Sequence, residues 1–114
     1  MENCIFCKIV KKELPSQTVY EDNEILAFKD INPVAPVHVL VIPKKHLNSL
    51  NDLTPEDGTV VGNILLVIKK LAAELGVADS GYRVVVNVGA DGGQQVGHLH
   101  FHLIGGKALG TKIC

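Results

Sequence analysis

Apolar and polar positions recur with different periods along the 114 residues, and each change of period marks a new element. Residues 4–12 predict a short helix, stopped before Pro15. Thr18 to Glu21 and Ile25 to Lys29 are short apolar-polar runs joined by Asp22-Asn23, the pattern of a hairpin. Asn32-Pro33-Val34-Ala35-Pro36 reads as a rigid loop, because two prolines remove N–H donors and bias the residues before them away from helix. His38 to Ile42 resumes as a strand.

The longest periodic stretch follows Thr54. Thr54 is a good N-cap, Pro55 suits the first helical position, Asp57 completes a capping-box pattern and Gly76 supplies the stop. The helix should run for about 20 residues, roughly 30 Å. Val61, Ile64, Leu65, Ile68, Leu71, Ala72 and Leu75 make one apolar stripe, which Val60 and Val67 widen beyond what covering a sheet demands. Either the whole stripe is core, or its flank meets the same helix of a second copy across a two-fold axis. Tyr82 to Asn87 and His98 to Ile104 predict the last two strands, separated by the turn-rich Gly89-Ala90-Asp91-Gly92-Gly93-Gln94. Strands flanking one dominant helix make this an α+β fold, with a mainly antiparallel sheet of about five strands, one long helix and one short. No repeat, low-complexity tract or composition break divides the sequence, so residues 1–114 are expected to form a single domain.

Composition then narrows the function. Lys+Arg number 11 against 12 Asp+Glu, a formal net charge of −1, so the chain lacks the global basic field that holds a nucleic acid polymer. No apolar run approaches the roughly 18 residues that cross a bilayer, which excludes a membrane partner. An acid at Glu2 and bases at Lys8, Lys11 and Lys12 break the pattern of a secretory leader, and a cytoplasmic location is expected. Three cysteines are an odd count, two of them in Cys4-Ile5-Phe6-Cys7, and are expected to be reduced rather than to form a disulfide framework. Hydrophobic residues make up 46% of the chain but aromatics only 4%, which leaves aliphatic surface for a partner subunit.

Three of the five histidines fall in His98-Leu99-His100-Phe101-His102. Strand alternation puts these imidazoles on one face and Leu99, Phe101 and Leu103 on the other, anchoring the row in the core with neighbours about 7 Å apart. Such a row can present nitrogen ligands to zinc. Alternatively, one neutral imidazole attacks phosphorus while its neighbours donate hydrogen bonds or protons. A purely structural row is the third reading, and it requires a partner for every ring nitrogen. The preceding Asp91-Gly92-Gly93-Gln94-Gln95-Val96-Gly97 favours phosphate, because backbone N–H groups can converge there as an anion nest. It is neither a Walker loop nor a dinucleotide fingerprint.

His98-Leu99-His100-Phe101-His102-Leu103-Ile104 resembles the signature of the histidine triad (HIT) superfamily, and the Gly-Gly-Gln approach is similar to its Hint branch of nucleotide-binding phosphoramidases. The likeness extends to Phe6-Cys7-Lys8-Ile9, to Leu26 through Ile31, to Ala35-Pro36-Val37-His38 with Ile42-Pro43-Lys44-Lys45-His46, and to Gly81-Tyr82-Arg83 through Asn87. The resemblance implies a homodimer that binds purine nucleoside monophosphates and cleaves phosphoramidates, releasing AMP or GMP and an amine. His100 would be the nucleophile, passing through a nucleotidyl-histidine intermediate that water hydrolyses, with no metal needed for that step. His102 and His38 would hydrogen-bond the phosphate and His100, and His102 would handle the leaving-group proton. Gly93 and Gln94 would add loop contacts to the phosphate and Asn87 a side-chain contact. Asp30 would accept from the ribose diol, and Phe28 and Ile31 would form the apolar walls around the base.

Two positions depart from that pattern. Gln95 stands in the nucleotide-binding loop where many Hint proteins carry a hydroxyl residue, and Gly97 replaces an aromatic often found before the triad. The Cys-x-x-Cys is by itself half a zinc site, or else two packed thiols. Some bacterial triad proteins carry a similar pair, and there the matching positions Cys4, Cys7, His46 and His98 would close a structural zinc site with no open coordination position. Three functions therefore compete: a hydrolase of purine nucleoside phosphoramidates, a nucleotide-binding regulatory module with incidental turnover, and a metal-binding module built on the triad itself.

Overall fold

The computed structural model describes residues 3–113. Met1 and Glu2, which carry part of the N-terminal reading, and Cys114 lie outside the described residues. Chain order runs α1 (Ile5–Val10), β1 (Thr18–Glu21), β2 (Ile25–Lys29), β3 (Val37–Pro43), two 3-10 turns at Leu50–Asp52 and Pro55–Asp57, α2 (Gly58–Glu74), β4 (Tyr82–Val85) and β5 (Phe101–Gly105). The strands form one five-stranded antiparallel sheet in the order β1-β2-β3-β5-β4.

The first two strands occupy the residues expected of them. Their connection is longer by one residue, because the Asp22 carboxylate accepts from the amides of Glu24 and Ile25, both at 2.8 Å, and closes the turn locally. The long helix opens more tightly than its cap pattern suggests. Asp57 Oδ2 accepts from the Thr54 amide at 2.9 Å, but Pro55–Asp57 forms a 3-10 turn and the α-helix proper starts at Gly58. Asp57 also meets Lys45 at 2.9 Å, and the Thr54 and Lys45 contacts hold its carboxyl below the usual range. At the far end, Gly76 takes φ of 79° and Val77 donates to the Ala72 carbonyl, the left-handed stop that glycine makes inexpensive.

The two faces of the sheet carry separate cores. Ile25, Ala27, Val39, Val41, Leu99, Phe101 and Leu103 pack against α2 through Val60, Ile64, Val67, Ile68 and Leu71. Leu26, Phe28, Leu40 and Ile42 face the other way, under Phe6 and Ile9 of α1. Val60 and Val67 are thus core residues, not spare flank. The apolar surface left exposed on α2 is at Leu65 and its neighbour Leu66.

The last strand begins later than its sequence suggests. β5 pairs with β3 only from Phe101, opposite Val41, so His98 and His100 precede the ladder. The backbone there is engaged elsewhere: the Leu99 amide donates to the Leu47 carbonyl at 2.6 Å, and the His98 carbonyl accepts from the His100 ring. Alternation survives, since Leu99, Phe101 and Leu103 all enter the α2-side core. β4 is correspondingly shorter, ending at Val85 rather than Asn87.

Candidate active site

Because β3 and β5 are neighbours in register, with His38 opposite Ile104 and Leu40 opposite His102, the His38 and His102 side chains meet diagonally across the pair. His38 Nε2 lies 2.9 Å from His102 Nδ1 and 3.4 Å from Asp30 Oδ2. The Val34 amide donates to His38 Nδ1 at 3.2 Å, so that nitrogen is an acceptor and the neutral ring carries its proton on Nε2. That proton is aimed at His102 Nδ1. His102 therefore accepts on Nδ1 and keeps its own proton on Nε2. Burial, followed by the neighbouring His100 and His38 rings, pushes its pKa down to about 4, which keeps it uncharged at neutral pH.

His100 is fixed differently. Its Nδ1 lies 2.7 Å from the His98 carbonyl oxygen, which can only accept, so Nδ1 carries the proton and the Nε2 lone pair is left for other work. The ring is buried, its centroid 5.1 Å from that of His102, and Phe6 meets it edge to face at 5.2 Å. The rings thus converge more closely than the spacing of their backbone positions.

Cys4, Cys7, His46 and His98 also come together, with one potential ligand atom from each inside 4.8 Å. His98 Nδ1 lies 3.3 Å from Cys4 Sγ and 3.6 Å from Cys7 Sγ, and His46 Nδ1 lies 3.2 Å from Cys7 Sγ. In a tetrahedral zinc site, bonds of about 2.3 Å to sulfur and 2.0–2.1 Å to nitrogen place such ligands roughly 3.5 Å apart. Each imidazole donates its other nitrogen to an oxygen: His98 Nε2 to the Pro43 carbonyl at 2.8 Å, and His46 Nε2 to Asn48 Oδ1 at 2.9 Å. Both Nδ1 lone pairs consequently point inward, the arrangement that metal ligation requires. Burial, with Cys4 beside it, pushes the Cys7 thiol up, so a cation is what would let it ionise. The donor set fits zinc.

The remaining nucleotide-binding candidates divide. Phe28 is buried against Phe6, ring centroids 5.5 Å apart. Asp30 Oδ1 caps its own turn by accepting from the Asn32 amide at 2.8 Å, while Oδ2 faces His38. Asp30, Ile31 and His38 line a cavity of about 620 Å³ that also touches Ser16 and Lys29; Ile31 is 90% exposed at its rim. Gly93 and Gln94 direct their amides into their own loop, onto the Ala90 and Gly89 carbonyls, so those two N–H groups do not face outward as a nest. Gln94 further bridges the loop to the Asn48 carbonyl at 2.6 Å, and Asn87 donates to the Gly92 carbonyl at 2.7 Å. A Cβ on Gly92 would overlap the Val88 carbonyl oxygen, and Gly93 takes φ of 75°. Gln95 lines a second depression beside Cys4 and His46.

The HIT domain model matches residues 11–109. The chain belongs to the HIT family. It is 50% identical over 105 residues to Protein HitA of Neisseria gonorrhoeae, covering 92% of this chain and 97% of that protein. It is 43% identical over 112 residues to the purine nucleoside phosphoramidase of Escherichia coli, covering 98% and 94%. Among solved structures, a HIT family hydrolase from Clostridium thermocellum superposes with a TM-score of 0.97 at 48% identity, covering 100% of this chain and 99% of that one. Within this HIT chain three contributors escape a reading of the sequence. Phe6 reaches both His98 and His100, the Val34 amide sets the His38 tautomer, and Asn48 orients His46. Only Phe6 left a trace, as an aromatic inside the Cys-x-x-Cys of an aromatic-poor chain.

Proposed function

We propose that this HIT chain hydrolyses phosphoramidates of purine nucleoside monophosphates through a covalent nucleotidyl intermediate on His100. The observation that carries the reading is the His100 tautomer: with Nδ1–H donated to the His98 carbonyl, the Nε2 lone pair is the free nucleophile. Nε2 attacks phosphorus and the P–N bond to the amine breaks. The anionic phosphate offsets the burial that keeps His102 neutral in the free protein, so a charged His102 gives its Nε2 proton to the departing amine and is left neutral. Water then attacks phosphorus and gives a proton back to His102, and the bond from phosphorus to His100 breaks to release the nucleoside monophosphate. His38 orients the His102 ring through the 2.9 Å contact between its Nε2 and His102 Nδ1. Asp30 takes the ribose hydroxyls, and Phe28 and Ile31 flank the base. The kind of substrate is supported by the phosphoramidase of Escherichia coli as a relative.

Cys4, Cys7, His46 and His98 hold a structural zinc in this reading, which staples the residues around α1 to the body of the protein and takes no part in the bond-breaking steps. Fewer than about 0.2 zinc per chain in protein purified without chelator would count against it, since a closed site binds tightly. The chain pairs as a homodimer, using surface that a single copy leaves open: the β4 edge of the sheet, with Tyr82 and Val84 exposed on it, and Leu66 of α2. Light scattering that returned a single-chain mass at micromolar concentration would refute the pairing. The chemistry is tested by mass spectrometry after rapid mixing with an adenosine phosphoramidate and quenching without acid. AMP mass is expected on the peptide containing His100; AMP binding with neither adduct nor turnover would favour the regulatory module.

A further inference from the structure

The Cys/His cluster and the nucleophile are built on the same few residues. His98 contributes Nδ1 to the cluster, 3.3 Å from Cys4 Sγ, and its carbonyl oxygen takes the Nδ1 proton of His100 at 2.7 Å. A single residue thus belongs to the cluster with its side chain and selects the tautomer of His100 with its main chain. Phe6 makes a second connection. It lies between Cys4 and Cys7 in sequence, and its ring meets His98 at 5.9 Å and His100 at 5.2 Å, tilted 70° and 85° to them. At those angles the positive edge of one ring faces the negative face of the other, so the contact resists rotation as well as filling space.

Phe6 packs over Leu26, Phe28, Leu40 and Ile42, and the angle at which its ring meets the two histidines depends on the helix that carries it. It sits in α1, a helix of six residues, far below the length at which a helix persists without outside support. Its N-cap is Cys4, whose sulfur accepts from the Cys7 amide at 3.3 Å, so the helix start and the cluster are the same structure. Ligands drawn to one cation would fix Cys4 and Cys7, and with them the ring between them. Without a cation, Cys4 and Cys7 are tied to His46 and His98 only by sulfur contacts of 3.2–3.6 Å, a looser anchor for the first turn of α1.

We propose that Phe6 and His98 are positioning residues through which the filled Cys4–Cys7–His46–His98 cluster holds His100 in its attacking orientation. Zinc at this site would act on the rate of nucleophilic attack as well as on stability, without contacting substrate. The activity arm rests on the phosphoramidase reading; the orientation of the His100 ring does not.

The test compares zinc-loaded protein, the same protein stripped with a chelator, and the stripped protein reloaded. Nitrogen-15 spectra of the imidazoles should show His100 as a single Nδ1–H tautomer when loaded, a mixture when stripped, and the single form again on reloading. With an adenosine phosphoramidate, kcat should fall about tenfold or more on stripping, because a misplacement of about 1 Å can cost 10²-fold. AMP affinity, read by calorimetry, should change by less than about twofold, separating orientation from binding. Phe6→Leu keeps an apolar side chain and all four ligands, so it should retain zinc yet show the same tautomer mixture and the same loss of kcat. That variant decides the matter if the stripped protein unfolds. The proposal is overturned if stripped, folded protein or F6L keeps one Nδ1–H tautomer and its full kcat, or if the protein takes up no zinc. Absence of turnover in loaded protein would instead sink the phosphoramidase reading, and the spectra would still judge this one.

Discussion

His98 and His100 stand two residues apart, yet the fold gives them opposite tautomers. His98 spends Nε2–H on the Pro43 carbonyl and turns a bare Nδ1 toward two thiols; His100 spends Nδ1–H on the His98 carbonyl and keeps a bare Nε2. His46 behaves like His98, its Nε2 on Asn48. Beyond them, His38 and His102 share a proton with each other rather than giving both to oxygen. The lesson is that the oxygen behind an imidazole, more than the imidazole itself, decides whether it presents a ligand, a nucleophile or a proton relay.

Removing a ring from each side of this comparison should give unlike lesions. His100→Ala deletes the nucleophile, and its kcat should fall by more than the roughly 10⁴-fold upper range for losing a general acid or base, with AMP binding retained by calorimetry. Near-normal turnover would end the assignment. Cys4→Ser attacks the other cluster and should cost stability, on the order of 2 kcal/mol or more in thermal or denaturant unfolding when zinc is present, with a loss of kcat far smaller than that of His100→Ala. An unchanged midpoint would mean that the cluster is two packed thiols.

The pH dependence sharpens the contrast within the pocket. His102 sits near 4 in the fold against 6.5 for an ordinary histidine, so the unfolded chain binds more protons between those values and stability rises with pH there. The stability His102 contributes as a neutral ring is intact above about 6.5 and is lost as pH falls through about 4. His102→Gln should lack that slope, as urea midpoints across the window would show. The smallest effect belongs to Asp30→Asn, which weakens an acceptor for the ribose. KM should rise about tenfold with a lesser change in kcat, consistent with a hydrogen bond to a charged group. An unchanged KM would confine Asp30 to capping its turn.

Local chemistry made much of the molecule readable in advance. β1 and β2 follow from alternation and Asp22, and the right end of α2 from Gly76, because each is settled by neighbours in sequence. The late start of β5 was not readable, since it depends on Leu47 taking the Leu99 amide from across the fold. In the site, the two clusters that the fold brings together were legible from motif and family resemblance, whereas the tautomers were not: they are imposed by the Pro43 and His98 carbonyls, the Val34 amide and the Asn48 side chain, which no pattern of side chains announces. The loop expectation met the same limit. Gly92-Gly93-Gln94 looked open to an anion, but the Gly93 and Gln94 amides serve the loop's own closure.

That closure makes adjacent glycines indispensable on unrelated grounds. Gly92 is kept for emptiness, since any side chain would collide with the Val88 carbonyl, and Gly93 for handedness, since its backbone lies where other residues pay about 1–2 kcal/mol. An alanine at either would disturb the same six-residue coil by different routes, one pushing the incoming strand end outward and one straining the return. The approach to the histidines is therefore a cast piece rather than a hinge, and variation in this protein should be tolerated at its Asp91 tip before it is tolerated at either glycine.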